Sequence, residues 1–176
     1  MEAVKEFFRG DDLLRFYCSS FIVLIPKVKD PQSFDKFHPI SLCNVIYKVF
    51  SKILVDKLSL VIGDLISSEQ GVFVRGRSIF ENVTFTQEMT KMLYRKVRGG
   101  NVILKIDMSK AYDRVEWKFV DQTLHAFGFP DFFCKLIQIC ISTSWFSVMI
   151  NGTYKGFFKS ERGLRQGFLC HRTYSF

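Results

Sequence analysis

The sequence predicts a mixed α/β domain of the α+β type, and three patterns in the 176 residues support that prediction. Apolar residues recur at three- and four-residue steps over residues 44–66, which is typical of an amphipathic helix. A β-branched run over residues 102–106 ends abruptly at Asp107, as a buried strand does. Asn151-Gly152 separates two β-rich runs and is a strong hairpin signal. Helices and strands therefore both contribute, and no internal repeat is present.

The elements before residue 44 are predicted to be short. Apolar residues lie roughly at helical spacing over residues 3–16, with a break near Gly10. Residues 21–25 are a continuous apolar run stopped by Pro26, which predicts a short buried strand. Residues 27–39 are polar and contain two prolines, so a loop is expected there.

Three further elements follow up to the middle of the chain. Asn44 is a suitable N-cap for the long helix over residues 44–66. A loop over residues 69–77 leads to a second helix over residues 79–97, which Gly99-Gly100 should end. The apolar strand that ends at Asp107 comes next.

The last third of the chain is predicted to contain two helices and a hairpin. The helices cover residues 116–127 and 131–141, and Pro130 suits the start of the second one. The hairpin strands cover residues 145–150 and 154–158 on either side of Asn151-Gly152.

Composition and charge exclude some classes of protein. Hydrophobic residues make up 48% of the chain, which is too many for a disordered protein. Lysine and arginine number 25 against 17 acidic residues, and the net charge of +8 makes nucleic acid the first candidate partner. The basic cluster over residues 91–98 has a simpler interpretation as the solvated end of a helix.

Cysteine usage and hydropathy bear on the compartment. The five cysteines are irregularly spaced and form no Cys-x-x-Cys pair, which indicates reduced thiols in a cytoplasmic or nuclear protein. No apolar run reaches membrane-spanning length, and the first residues lack a signal-peptide pattern. We therefore expect a protein that is not secreted and has no membrane partner.

Asp107 is the first candidate for chemistry. A strand that fixes a carboxylate at its end suits Mg²⁺, which binds through one or two carboxylates plus substrate phosphates. A simpler alternative is that Asp107 caps the following turn, because aspartate is common at turns and N-caps.

Four motifs in order decide between these alternatives. They are Phe21-Ile22-Val23-Leu24-Ile25-Pro26-Lys27, His38-Pro39-Ile40-Ser41-Leu42-Cys43-Asn44, Asp107-Met108-Ser109-Lys110-Ala111-Tyr112-Asp113 and Gly163-Leu164-Arg165-Gln166-Gly167. Together with Gln70-Gly71-Val72-Phe73 and Asn151-Gly152, this order resembles the reverse transcriptase of plant LINE-type (non-LTR) retrotransposons. The resemblance covers nearly the whole chain.

The resemblance implies a right-hand polymerase, with fingers in residues 1–100 and a partial palm in residues 101–176. The expected activity is RNA-templated DNA synthesis with Mg²⁺, an RNA template, a DNA primer and deoxynucleoside triphosphates. Asp107 matches the first catalytic, metal-binding carboxylate, and Met108 matches a backbone carbonyl ligand. Tyr112 matches the steric gate that excludes nucleotides with a 2′-hydroxyl. Without the motif, Tyr112 would be interpreted as a packed aromatic on the turn. Asp113 belongs to the motif and is expected to make a structural contact.

The same resemblance gives roles to other polar residues. Lys27 and His38 match positions that face the nucleotide triphosphate, but the family usually has arginine where this chain has His38. A neutral imidazole cannot replace a bidentate guanidinium. Gln166 and Gly167 match the loop beneath the nascent base pair. Arg75 and Arg77 are candidates for contact with the template backbone and are equally consistent with ordinary surface cations.

The sequence also departs from the family pattern. The aromatic-x-Asp-Asp turn that carries the other carboxylates does not follow the Gln-Gly loop, and we interpret Asp11-Asp12 as a helix interruption. Suitable codons for residues 168–175, read in another frame, spell the family's Pro-Leu-Ser-Pro-Tyr-Leu-Phe, which suggests a frameshift just after Gly167. One carboxylate cannot fix two Mg²⁺ ions, so the isolated chain is expected to be inactive. The alternatives are a non-enzymatic nucleic-acid-binding remnant and an intron maturase-like splicing factor.

Overall fold

The computed structural model describes residues 2–11 and 14–164, which form eight α-helices and four strands. The helices are α1 Glu2–Arg9, α2 Arg15–Cys18, α3 Val45–Ser59, α4 Ile62–Leu65, α5 Ile79–Met92, α6 Ala111–Arg114, α7 Trp117–Ala126 and α8 Asp131–Ser142. The strands are β1 Ser19–Pro26, β2 Phe37–Cys43, β3 Trp145–Ile150 and β4 Thr153–Lys159, and a 3₁₀ turn covers Phe34–Lys36. The predicted mixed α/β class is confirmed.

The chain divides into two compact units within α3. One unit comprises Met1–Val55 with Lys110–His171, and the other contains Asp56–Ser109. The first unit contains all four strands. The expected division into fingers and palm at residue 100 concerns polymerase subdomains and stays a prediction.

The first unit is built on one mixed sheet with the order β2-β1-β3-β4. β1 pairs with β2 in antiparallel and with β3 in parallel orientation, and β3 and β4 form an antiparallel hairpin. Asn151 and Gly152 both have positive φ, at 48° and 75°, as a two-residue hairpin turn of the primed type requires. The predicted hairpin is therefore confirmed.

Aromatic rings from different helices meet in the core of the same unit. Phe7 and Phe50 are fully buried and stack with their ring centroids 4.5 Å apart. The buried Tyr47 hydroxyl donates to the Cys140 carbonyl at 2.8 Å, so the one polar atom of that ring is satisfied. Burial of a ring of this size contributes about 1.5–3 kcal/mol, and α1, α3 and α8 are thereby held together.

Local hydrogen bonds determine where α3 begins and where α1 ends. The Asn44 side chain accepts from the Ile46 N–H at 2.9 Å, which confirms it as the N-cap of α3. Gly10 has a φ of 85°, and the Gly10 and Asp11 N–H groups donate to the Phe7 and Glu6 carbonyls. This Schellman arrangement ends α1 and confirms the interruption at Gly10. Asp12 lies outside the described residues.

Two helices end earlier than predicted. The helix expected over residues 44–66 breaks after Ser59, because Leu60 and Val61 make tighter i→i−3 bonds before α4 begins. The helix expected over residues 79–97 ends at Met92. There the Asn101 side-chain amide donates hydrogen bonds to the Met92 and Arg95 carbonyls, at 3.1 and 3.2 Å.

The loop predicted over residues 27–39 is wrong at its end, because β2 begins at Phe37. Pro39 suggested a loop, but β2 is an edge strand, where a residue without an N–H is tolerated. The prediction that β1 is buried is also only half right. Ser20 on one face is 1% exposed, whereas Phe21 and Ile25 on the other face are 38% and 45% exposed.

The strand predicted to end at Asp107 is not formed. Residues 101–108 have no regular structure, and Val102, Leu104 and Ile106 are more than four-fifths exposed. A strand requires a neighbour to complete its hydrogen-bond ladder, and none of the four described strands pairs with this segment. An apolar sequence pattern permits a strand but does not identify the neighbouring strand with which it would pair.

None of the four cysteines in the described ranges forms a disulfide, and three of them are buried. The prediction of reduced thiols is consistent with this finding. In the described part of the chain, no helix is both long and apolar enough to cross a membrane.

Candidate nucleotide and metal site

Asp107 lies on the exposed, irregular segment that precedes α6. The adjacent Met108 is 70% exposed. The residue that caps α6 is Lys110, which has a left-handed φ of 53°. Asp107 is therefore not the N-cap of this helix.

Tyr112 is brought next to the segment that leads into the Gln-Gly motif. The Leu164 N–H donates to the Tyr112 carbonyl at 2.8 Å, and the Gly163 N–H donates to the Val115 carbonyl at 2.8 Å. Tyr112 as a whole residue is 42% exposed. Two motifs about 50 residues apart are thus joined by backbone hydrogen bonds. Gln166 and Gly167 themselves lie outside the described residues.

Gly163 fits this contact because it has no side chain. Its φ is 83°, and a Cβ atom would lie 2.9 Å from the Asp113 carbonyl oxygen. Any larger residue would have to push the Asp113 backbone away. Asp113 therefore contributes its main chain to the contact, in line with the structural role expected for it.

Trp117 completes the contact and was missed in the sequence. Its indole N–H donates to the Gly163 carbonyl at 2.8 Å, although the two residues are 46 positions apart. A partly buried tryptophan usually needs a hydrogen-bond acceptor for its N–H, but this general rule does not tell which carbonyl Trp117 reaches. We call Tyr112, Asp113, Trp117, Gly163 and Leu164 the α6 clasp.

The tip of the β1–β2 hairpin brings Lys27 and His38 together. The register pairs Ile25 with His38, and two residues further along the ladder the Lys27 N–H donates to the Lys36 carbonyl at 2.8 Å. Lys27 and His38 are thus diagonal neighbours on exposed backbone. The prediction that His38 lies in a loop is wrong, because it belongs to β2.

The charges at this hairpin tip partly offset one another. The Lys27 ammonium donates to the Asp35 carbonyl at 3.2 Å, and Lys36 pairs with the Asp35 carboxylate at 3.3 Å. The Ser33 hydroxyl and the Lys36 ammonium hold the pKa of the Asp35 carboxyl below its usual range. Over residues 27–36 the tip carries three lysines and two aspartates, which are Lys27, Lys29, Lys36, Asp30 and Asp35.

Arg75 and Arg77 differ sharply in their surroundings. Arg75 is exposed. The Arg77 guanidinium instead donates to four backbone carbonyls of its own unit, those of Gly63, Ile66, Ser67 and Gln70. Both of its terminal nitrogens are engaged, so Arg77 binds the end of α4 and the turn after it. Of the two arginines, Arg75 is thus the more exposed.

His125 connects α7 to the start of α8. Its Nδ1 donates to the Asp121 carbonyl at 2.8 Å, and its Nε2 lies 3.4 Å from an Asp131 carboxylate oxygen. The contact with the Asp121 carbonyl and the two neighbouring carboxylates raise the pKa of His125 above its usual value. The protonated form therefore stabilises this helix connection.

An open depression of about 720 Å³ lies beside the α6 clasp. Its lining mixes three carboxylates with two cations, so it offers no concentrated charge of either sign. The lining residues are Glu116, Trp117, Lys118, Asp121, Gln138, Glu161 and Arg162.

The residues around Asp107 do not by themselves form a metal centre. Among the described residues, no group of three histidine, cysteine or acidic side chains is placed to hold a metal ion. A two-metal phosphoryl-transfer site needs oxygen ligands that clamp both the attacking and the leaving oxygen. Asp107 with the Met108 carbonyl would supply only part of such a ligand set.

Comparison with known proteins agrees with the motif order. Residues 25–170 match the family model described as reverse transcriptase (RNA-dependent DNA polymerase). The chain is 28% identical over 164 residues to the transposon TX1 uncharacterized 149 kDa protein of Xenopus laevis, covering 93% of the chain and 12% of that protein. It is also similar to retrovirus-related Pol polyproteins from retrotransposable elements of the R2 group. One, from Nasonia vitripennis, is 28% identical over 157 residues, covering 87% of the chain and 15% of that protein. The other, R2DM of Drosophila melanogaster, is 26% identical over 145 residues, covering 82% of the chain and 13% of that protein.

Proposed function

Because the chain belongs to the reverse transcriptase (RNA-dependent DNA polymerase) family, we propose that it supplies the fingers and the first palm carboxylate of a retrotransposon polymerase that copies RNA into DNA. The observation that carries this proposal is the family match over residues 25–170, which includes the last three motifs completely and the end of the first. The chain spans less than a sixth of the curated relatives it matches, at 12–15% of their length. The polymerase activity of the whole protein is therefore part of the proposal.

We propose Asp107 as the catalytic, metal-binding carboxylate and the Met108 carbonyl as a second oxygen ligand. The family uses divalent metal ions, and a site of hard oxygen ligands suits Mg²⁺. When bound, the metal would stabilise charge on the phosphate of the incoming nucleotide. The described residues of this chain lack the remaining ligands, so we assign no catalytic step to Asp107 alone.

The proposed nucleotide-binding residues lie in two places. Lys27 and His38 share the tip of the β1–β2 hairpin, where a lysine ammonium is suited to a triphosphate. Tyr112 is proposed as the gate against a 2′-hydroxyl, and the α6 clasp supports this role because it holds the Tyr112 backbone to the Gly163 segment. Gln166 and Gly167 are proposed to lie beneath the base pair.

Arg75 and Arg77 have different parts in the proposal. Arg75 is proposed to contact the template phosphates. Arg77 is proposed to act indirectly, since its four carbonyl contacts shape the loop on which Arg75 lies.

The relatives favour a retrotransposon origin over the alternatives. They are a transposon protein and two retrotransposon polyproteins, whereas an intron maturase-like factor or a non-enzymatic remnant is not favoured by any of them. We propose the plant LINE-type group in particular, on the order and composition of the motifs. An RNA template, a DNA primer and deoxynucleoside triphosphates are the proposed partners, and the cytoplasm or nucleus is the proposed location.

Two assays of the isolated chain test the proposal. In fluorescence anisotropy, a labelled RNA–DNA primer–template should bind, and its affinity should fall at least about tenfold as salt rises from about 50 to about 200 mM. Absence of saturable binding at the lower salt would overturn the proposed function. In primer extension with Mg²⁺, the isolated chain should add no nucleotides. Template-dependent extension that Asp107→Ala abolishes would show that the metal site is complete.

A further inference from the structure

The second compact unit has almost no hydrophobic core within Asp56–Ser109. Of the hydrophobic residues that the structure describes there, Val74 alone is buried. Helix α5 is 14 residues long and contributes no buried residue. A domain of about 60 residues is only marginally stable even with a packed core, so this unit needs further apolar burial.

Six exposed apolar residues of this unit form two runs that Asn101 joins. They are Phe85, Met89 and Met92 of α5 and Val102, Leu104 and Ile106 of the segment that follows, and we call them the second-unit surface. Their exposed fractions range from 44% to 85%. The helical residues are spaced i, i+4 and i+7 and therefore share one side of α5. The Asn101 side-chain amide donates to the Met92 carbonyl, so the segment begins at the end of α5.

The second-unit surface is as large as one side of a stable protein interface. A fully exposed side chain of this size offers about 150–250 Å². At the observed exposed fractions, the residues of the surface together offer roughly 600–1,000 Å². A stable complex buries about 800 Å² on each partner, whereas the largest apolar patch of an ordinary monomer is about 300–600 Å². The area is thus sufficient for a dimer and large for a monomer.

The segment over residues 102–106 is complementary to a second copy of itself. In an antiparallel pair centred on Leu104, Val102 would be opposite Ile106 of the second copy, so one face of the pair is apolar throughout. Lys105 would be opposite Ile103, which keeps the two ammonium groups apart. None of the backbone hydrogen bonds between described residues involves residues 102–106. Pairing would supply partners for these backbone groups.

The charges along α5 also favour an antiparallel pair. Glu81 and Glu88 lie within the helix, and Lys91 and Arg95 follow them. A parallel pair would place like charges side by side. In an antiparallel pair, Glu81 of one copy lies near the basic end of the other. The helix and the segment therefore require the same kind of symmetry, a two-fold axis.

We infer that the second-unit surface is a self-association site, at which two copies of this chain pair through antiparallel contacts of α5 and of residues 102–106. A contact of this kind is isologous, because each copy contributes the same residues. The inference goes beyond the proposed polymerase function and does not depend on it, since it uses only the exposure, spacing and charge of residues 81–106.

Sedimentation velocity of the full chain tests the inference. The chain should change from monomer to dimer as its concentration rises from about 0.1 to about 50 μM, with a dissociation constant of about 1 μM. Leu104→Lys places two ammonium groups opposite each other at the two-fold axis and should raise that constant at least about tenfold. Leu104 is 83% exposed, so the substitution removes little packing within one copy.

Leu14→Lys is the matched control for this substitution. Leu14 is 64% exposed and lies in the first unit, outside the second-unit surface. The control makes the same chemical change and adds the same charge, so it should dimerise as the unmodified chain does. Circular dichroism confirms that each variant is folded.

A charge exchange on α5 tests the orientation separately and keeps the inference falsifiable if Leu104→Lys unfolds. Glu81→Lys should weaken the dimer roughly threefold, because it brings like charges together. The double variant Glu81→Lys/Arg95→Glu should return the dissociation constant to within about twofold of the unmodified chain. A double variant that stays as weak as Glu81→Lys would show that the antiparallel pairing is wrong.

Three further results would overturn the inference. One is a folded chain that remains monomeric at about 50 μM, since a different polypeptide would then have to cover the surface. Another is a Leu104→Lys dimer as tight as that of the unmodified chain. The third is open-ended aggregation without a defined dimer, because a two-fold contact closes on itself. Each of these results leaves the proposed function intact, which the primer–template assay tests independently.

Discussion

Replacement of Gly163 by alanine tests the α6 clasp, which holds the Tyr112 backbone to the segment before Gln166. Gly163 has a φ of 83°, and the added methyl would lie 2.9 Å from the Asp113 carbonyl oxygen. The contact atom belongs to the backbone, so a side-chain rotation cannot relieve it. The Gly163–Asp113 contact must open for alanine to fit.

The expected cost has two parts. A left-handed backbone costs an alanine about 1–2 kcal/mol relative to glycine. Opening the contact also weakens the hydrogen bonds from the Gly163 and Leu164 N–H groups and the one from Trp117, each worth about 0.5–1.5 kcal/mol. With one or two of them lost, Gly163→Ala should lower the free energy of unfolding by about 2–4 kcal/mol.

Gly128→Ala is a matched control for the backbone term. Gly128 has nearly the same φ, 79°, and a Cβ there would meet no atom within 4 Å. This substitution should cost only about 1–2 kcal/mol. Urea unfolding followed by tryptophan fluorescence gives both values, because Trp117 and Trp145 both lie in the first unit. If the two substitutions cost the same, the Gly163 segment does not pack on Asp113 and the clasp is wrong.

The remaining predictions concern single side chains. Trp117→Phe should lower the free energy of unfolding by about 1 kcal/mol, because the Gly163 carbonyl loses its donor, and urea unfolding followed by circular dichroism measures this. Arg77→Met should lower hydrogen-exchange protection over residues 62–70 roughly tenfold while Arg75→Met leaves it unchanged; equal effects would refute the carbonyl contacts. The pKa of His125 is raised in the folded state, so its stabilising contribution is complete below about pH 6.5 and is lost as pH rises through the folded value. His125→Gln should therefore lower Tm more at about pH 5.5 than at about pH 8.5, and an equal loss at both would contradict this assignment.

Elements with local signals were predictable from the sequence. The hairpin is specified by Asn151-Gly152, which adopts the positive φ values that its turn needs. The N-cap at Asn44 and the break at Gly10 also depend on neighbouring residues alone. Each of these features is settled within one turn of chain, so no distant contact is needed to infer it.

Elements that depend on a distant partner were not predictable in the same way. β2 includes Pro39 because it lies at the sheet edge, and sequence pattern does not tell an edge strand from a loop. Residues 102–106 have the pattern of a strand but no neighbour in the described part of the chain. Strand formation is decided by pairing, which an apolar run only permits.

The candidate site shows the same division. The motifs identified Tyr112 and the Gly163 segment separately, and the structure joins residues 112–115 to residues 163–164 by two backbone hydrogen bonds. The contact made by Trp117 was not predicted, because a hydrogen bond to a carbonyl 46 residues away produces no periodic pattern in the sequence. Arg75 and Arg77 were equivalent in sequence, and only the four carbonyls around Arg77 separate them.

The most direct test of the central claim compares two RNA–DNA hybrids with the same number of phosphates. One has a recessed DNA 3′ end with a single-stranded RNA overhang, and the other is blunt. A polymerase segment that holds a template ahead of a primer should bind the recessed hybrid at least about tenfold more tightly in competition at about 100 mM salt. Equal affinity for the two hybrids would mean that the charge of +8 alone explains binding and would contradict the assignment of this chain to template recognition.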